Sequence, residues 1–131
     1  MALLSRIEGP AYALLRIVAG LLFMFHGLQK IFGMYGGTAQ PLVSQLGLAG
    51  LIELVGGILI MLGLFTSIVA VICSGEMAAA YFIAHAPRAF WPIQNGGELS
   101  ALYCFIFLFI ASRGSGIWSL DWLRGSGRGR R

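Results

Sequence analysis

The sequence predicts an all-α fold: an integral-membrane four-helix bundle with a short interfacial segment near its C-terminal end. Three observations predict it. Only 11% of the 131 residues are charged while 58% are hydrophobic, at a mean hydropathy of +0.84. A soluble domain carries about 25% charged residues to cover its surface, so lipid must face much of this chain. Apolar runs of near-spanning length are separated by Gly and Pro clusters. The ionisable residues inside the first of those runs share one helical side, as expected where helices share a polar interior. One domain covers residues 1–131.

A short polar lead ends at Pro10, which suits the first turn of a helix because its missing N–H costs nothing there. The first span follows at 11–32. It is too long for the apolar core of a signal peptide and lacks a small-residue cleavage site, so it reads as a retained span. It carries Arg16, His26, Gln29 and Lys30. His26 and Lys30 are one turn apart, Arg16 lies within about 80° of both, and Gly20 and Gly27 share their side. Gly33, Gly36 and Gly37 end the span. The segment 38–47 contains Pro41 and no charge and reads as a loop or short interfacial helix.

The second span, 48–65, is rich in glycine. Glu53, Gly56, Gly57 and Ile60 fall on one side, where small residues let a neighbouring backbone approach closely. The third span, 68–85, contains Glu76 and ends at His85. On a straight helix these two lie about 180° apart, so His85 is expected to belong already to the following loop. That loop holds Phe90 and Trp91, rings suited to a membrane–water boundary, then Pro92, Asn95 and Glu98. The fourth span, 98–112, precedes a segment in which Trp118, Leu120, Trp122 and Leu123 form an interfacial turn with Asp121 and Arg124 facing water.

Arg113, Arg124, Arg128, Arg130 and Arg131 make a basic tail at 113–131, and Arg6 precedes the first span. Following directly on a membrane helix, this charge reads as cytoplasmic retention rather than nucleic-acid binding. Four spans then put both termini in the cytoplasm of a bacterial inner membrane. Cys73 and Cys104 lie in apolar runs without metal-ligand or C-x-x-C spacing, so they read as packing residues and no metal site is expected.

With this topology His26, Lys30, Glu53, His85, Asn95 and Glu98 converge at the outer level of the bundle and form the candidate ligand-binding set. His26, His85, Glu53 and Glu98 are the candidates for proton chemistry. Arg16 and Glu76 lie deeper and are expected to form a structural ion pair, with Lys30 pairing to Glu53 and Glu98 to a histidine. A buried ion pair that fixes helix register and histidines held by hydrogen bonds are the competing structural explanations.

Six motifs recur in order: R-x-x-x-G-x-x-F-x-x-H-G-x-x-K at 16–30, E-x-x-G-G at 53–57, L-G-L-F-T at 62–66, A-x-x-x-x-H ending at His85, N-G-G-E at 95–98 and S-L-D ending at Asp121. Together they resemble the DoxX family of small bacterial inner-membrane proteins. The resemblance implies a four-helix membrane bundle and a redox-associated subunit, linked to a quinone or to thiol and sulfur chemistry. It also implies polar residues at Arg16, His26, Lys30, Glu53, Glu76, His85, Asn95 and Glu98. No haem, flavin or iron–sulfur motif is present; the cofactor stays open with a quinone as one candidate, and electrons would come from a soluble or membrane redox partner or a bound reductant. Whether the chain is itself catalytic, and whether it forms a homo-oligomer, stays open. A small proton-coupled transporter and a non-catalytic membrane scaffold for a soluble redox enzyme are the alternatives.

Overall fold

Among residues 1–125, which the computed structural model describes, every regular element is helical. A short α1 (Ala2–Arg6) leads into the long α2 (Glu8–Phe32). Helices α3 (Gln45–Leu62) and α4 (Thr66–Ala80) follow, and α4 continues without a break into a π-helical turn, Tyr81–His85. A single turn, α5 (Pro92–Asn95), precedes α6 (Glu98–Arg113), and another, α7 (Leu120–Leu123), comes last.

Local chemistry sets these boundaries. Ser44 caps α3 by accepting a hydrogen bond from the Gly47 amide at 3.0 Å, so the helix starts before residue 48. Gly33 and Gly63, both at φ +68°, close α2 and α3 in the left-handed conformation that glycine tolerates. The second span therefore stops at Leu62 rather than at residue 65. Three stretches, Glu8–Phe32, Gln45–Leu62 and Thr66–His85, are long and apolar enough to cross a membrane. Helix α6 is equally apolar in character but has 16 residues, just short of a full span.

Helix α2 packs along α3, and α4 along α6. The first pair meets backbone to backbone. A Cβ on Gly20 would sit 2.7 Å from the Gly57 carbonyl oxygen, and one on Gly57 2.6 Å from the Met24 amide nitrogen. Gly27 lies just as close against Leu54, and Gly50 against the Lys30 side chain. The stripe of small residues read from the sequence thus serves close helix approach. Between α2 and α6 the seam is aromatic: Phe23 contacts Tyr103 and Phe107 at centroid separations of 5.4 and 4.7 Å. Phe23, Ile60, Ala70, Cys73, Phe107 and Ile110 make a fully buried core.

At the end of the bundle nearest Arg16 the chain is tied by polar bonds that the sequence reading did not foresee. Arg16, 0% exposed, donates to the carbonyl oxygens of Ile60 and Met61 at 2.8 and 2.7 Å and of Ile117 and Trp118 at 3.3 and 2.7 Å. It forms no ion pair with Glu76. Its charge is met by the carbonyls that the end of α3 and the 117–118 segment leave free. Asp121, expected to face water, is buried instead. Its carboxylate accepts from the Phe65 and Thr66 amides and the Thr66 hydroxyl at 2.9–3.0 Å, satisfying free N–H groups at the start of α4. Burial alone would push this carboxyl up, but those bonds, with Arg124 nearby, hold it below the usual carboxylate range. Arg128, Arg130 and Arg131 of the basic tail lie outside the described residues.

Candidate functional site

The opposite end of the bundle encloses a cavity of about 590 Å³, lined by α2, α3, α4 with its π turn, and α6. Its walls are mostly aliphatic, with Phe23 and Tyr103 at the back. Five ionisable side chains reach it: His26, Lys30, Glu53, Glu76 and His85. This size and make-up, apolar with a few convergent polar groups, is that of a small-molecule site.

Each group is placed by its helix. His26 and Lys30 project from one face of α2, and the His26 ring meets Tyr103 edge-on at 6.2 Å. Lys30 Nζ donates to Glu53 Oε1 at 2.5 Å. The Glu53 side chain is only 1% exposed, so a paired ammonium is what allows a carboxylate there. Glu76, from α4, is an electrostatic neighbour of both Glu53 and Lys30. The Oε2 atoms of Glu53 and Glu76 are buried and neither has a hydrogen-bond donor.

His85 reaches the cavity because the helix changes pitch. In the π turn the Ala86 amide bonds to the Tyr81 carbonyl at 2.8 Å, which shifts later residues round the axis relative to an α-helix. The expectation that His85 lies in the loop is corrected: it is helical, and the wider turn brings it to the same cavity as Glu76. Its Nδ1 lies 3.3 Å from the Asn95 carbonyl oxygen.

Two candidates lie elsewhere. Asn95 is buried, but its amide is committed to the loop: Nδ2 donates to the Tyr81 hydroxyl and the Ala89 carbonyl, and Oδ1 accepts from the Gly97 amide. It fixes the strap over the π turn and does not line the cavity. Glu98 is exposed in the first turn of α6, away from the lining. Negative charge is favoured at that helix position. Glu98 forms no ion pair with His26 or His85. Tyr103 and Met77, which the sequence reading missed, belong to the wall. Among the described residues no three His, Cys, Asp or Glu side chains gather closely enough to share a metal ion.

The DoxX family model matches residues 11–86, a stretch that holds all five ionisable cavity residues. The chain belongs to the DoxX family. It is 45% identical over 116 residues to an uncharacterized protein of Haemophilus influenzae, covering 83% of this chain and 87% of that one. It is 31% identical over 114 residues to a Bacillus subtilis protein named "Putative oxidoreductase CatD", covering 82% of each. An uncharacterized membrane protein of Mycobacterium tuberculosis is 30% identical over 135 residues, covering 87% of this chain and 82% of the relative. No solved structure matches it. This DoxX-family chain is a membrane protein whose α2–α4 unit carries the acidic and basic floor of the cavity.

Proposed function

We propose that the cavity binds the ring of a lipid-soluble redox carrier of the quinone class, and that the chain is the membrane subunit of an oxidoreductase assembly. The observation that carries this reading is the convergence of His26, Lys30, Glu53, Glu76 and His85 on one apolar cavity of about 590 Å³. A relative named as an oxidoreductase supports a redox role. Quinone reduction takes up two electrons and two protons. His26 and His85 suit hydrogen bonds to the ring oxygens, and the Glu53–Glu76 pair suits proton delivery beneath them. Lys30 holds Glu53 in place. Electrons would come from a partner redox protein or a thiol or sulfur donor. Placement in a bacterial inner membrane with both termini cytoplasmic belongs to the same proposal.

Purified protein is expected to retain quinone detectable by mass spectrometry of its organic extract, and His26→Ala and Glu76→Gln are expected to weaken retention at least about tenfold. Wild-type protein that neither retains nor rebinds quinone overturns the reading. The two carboxyls sharing one lysine favour a second reading, proton-coupled transport of an organic cation. Uptake driven by a proton gradient in proteoliposomes, without quinone retention, would establish that one instead.

A further inference from the structure

Helices α3 and α4 are joined at one end by the turn through Gly63 and touch further along, where a Cβ on Gly56 would meet Cys73 Sγ at 2.5 Å. Further along still, residues of both helices line the cavity. Its lining on this side is exposed to the surroundings of the bundle: Leu48 on α3 is 56% exposed, and Ile72 and Ile83 on α4 are 52% and 57%. The seam between α2 and α6 is shut at the same level by the Phe23, His26 and Tyr103 rings. The cavity therefore has a polar floor, a closed aromatic back and an aliphatic mouth between two helices that are each long and apolar enough to cross a membrane.

We propose that the α3–α4 gap is a lateral portal, through which the site takes a ligand dissolved in the bilayer and leaves its apolar tail lying in the hydrocarbon. The occupant is an isoprenoid-tailed ring of the quinone class. This rests on the reading of the cavity given above and adds the route of entry and the need for a tail. A polar headgroup suits Lys30, Glu53, Glu76 and the histidines, whereas the mouth offers no hydrogen bonds and matches a hydrocarbon chain. A water-soluble ligand would leave that mouth unmatched.

The test uses the full chain in lipid nanodiscs with three probes: a tail-less dimethoxy-methyl-benzoquinone, the same ring on a photoactivatable isoprenoid tail, and a phospholipid with a photoactivatable acyl chain. The tailed ring is expected to bind at least about tenfold more tightly than the tail-less one and to label Ile52 and Ile83. Ala79→Trp, at a lipid-exposed position of the mouth, is expected to erase the tail's advantage while tail-less binding changes less than about twofold. Ile68→Trp, exposed but outside the cavity, is expected to leave both unchanged. Equal affinity for the two rings overturns the portal and leaves ring binding intact. Equal labelling by the phospholipid, with no binding of the tail-less ring, overturns both. Disulfide capture of Leu48→Cys between two copies, with no tail label at the mouth, shows that a second copy covers the gap and overturns the portal.

Discussion

Arg16, buried, and Lys30, half-buried, show how differently two cations on one helix can be satisfied. Lys30 meets a carboxylate, so its loss strands Glu53. Lys30→Met is expected to destabilise by about 3 kcal/mol, and adding Glu53→Leu to recover most of it, because a charge left unpaired costs more than the pair gains. Thermal unfolding in detergent, run as a double-mutant cycle, checks this. Arg16 meets four carbonyls fanned around a planar guanidinium, a geometry an ammonium cannot copy. Arg16→Lys is therefore expected to cost nearly as much as Arg16→Met, about 3 kcal/mol. The Lys30–Glu53 pair was legible in the sequence because depth and helix facing agreed. The Arg16 partner was not, because backbone carbonyls have no signature in side-chain types. Charge complementarity pointed to Glu76, the only acid deep in the third span.

At the scale of elements, the glycine spacing foretold which helix faces pack, and its energetic test is a contrast. Gly57→Leu forces α2 and α3 apart and is expected to cost at least about 2 kcal/mol. Gly75→Ala, on the same kind of helix but with open space around its Cβ position, is expected to be neutral or to stabilise by about 0.5–1 kcal/mol. Thermal melts of the two variants side by side decide it. The π turn at Tyr81–His85 was invisible to a fixed 100° wheel. A regular period misplaces every residue after an inserted one, which is why Glu76 and His85 looked incompatible. The one-turn α7 held another surprise, since Asp121 beside two tryptophans reads as a solvated charge until the free amides of α4 are in view. Its depressed pKa sets the sign of a pH effect. The cap contributes fully above the unfolded carboxyl pKa, about 3.9, and is lost as pH falls through the lower folded value. Asp121→Asn is expected to lower the melting temperature at pH 7, and the gap to wild type is expected to close in acid. Melts at pH 7 and below 4 test this.

For the whole molecule, the two ends of the bundle divide the labour: one is locked by Arg16 and Asp121, and the other opens around the ionisable cavity. The all-helical architecture and the membrane setting were legible from composition and periodicity, whereas which helix lies against the glycine face of α3 was not. The lock was not, because it joins residues remote in sequence through main-chain groups. That remoteness bears on the order of events during synthesis. Arg16 leaves the ribosome early, on the first long helix, while two of its four acceptors, Ile117 and Trp118, come 101 and 102 residues later. The cap on α4 waits equally, since Asp121 follows Thr66 by 55 residues. Through most of translation the nascent bundle therefore holds an arginine in its first span with at best half of its hydrogen bonds made. A chain stopped after Ser115 is expected to insert but to be degraded faster than the full chain in a pulse-chase experiment. The segment from Ile117 to Asp121 is thus expected to act as a completion mark, without which Arg16 lacks two of its four acceptors and α4 lacks its cap.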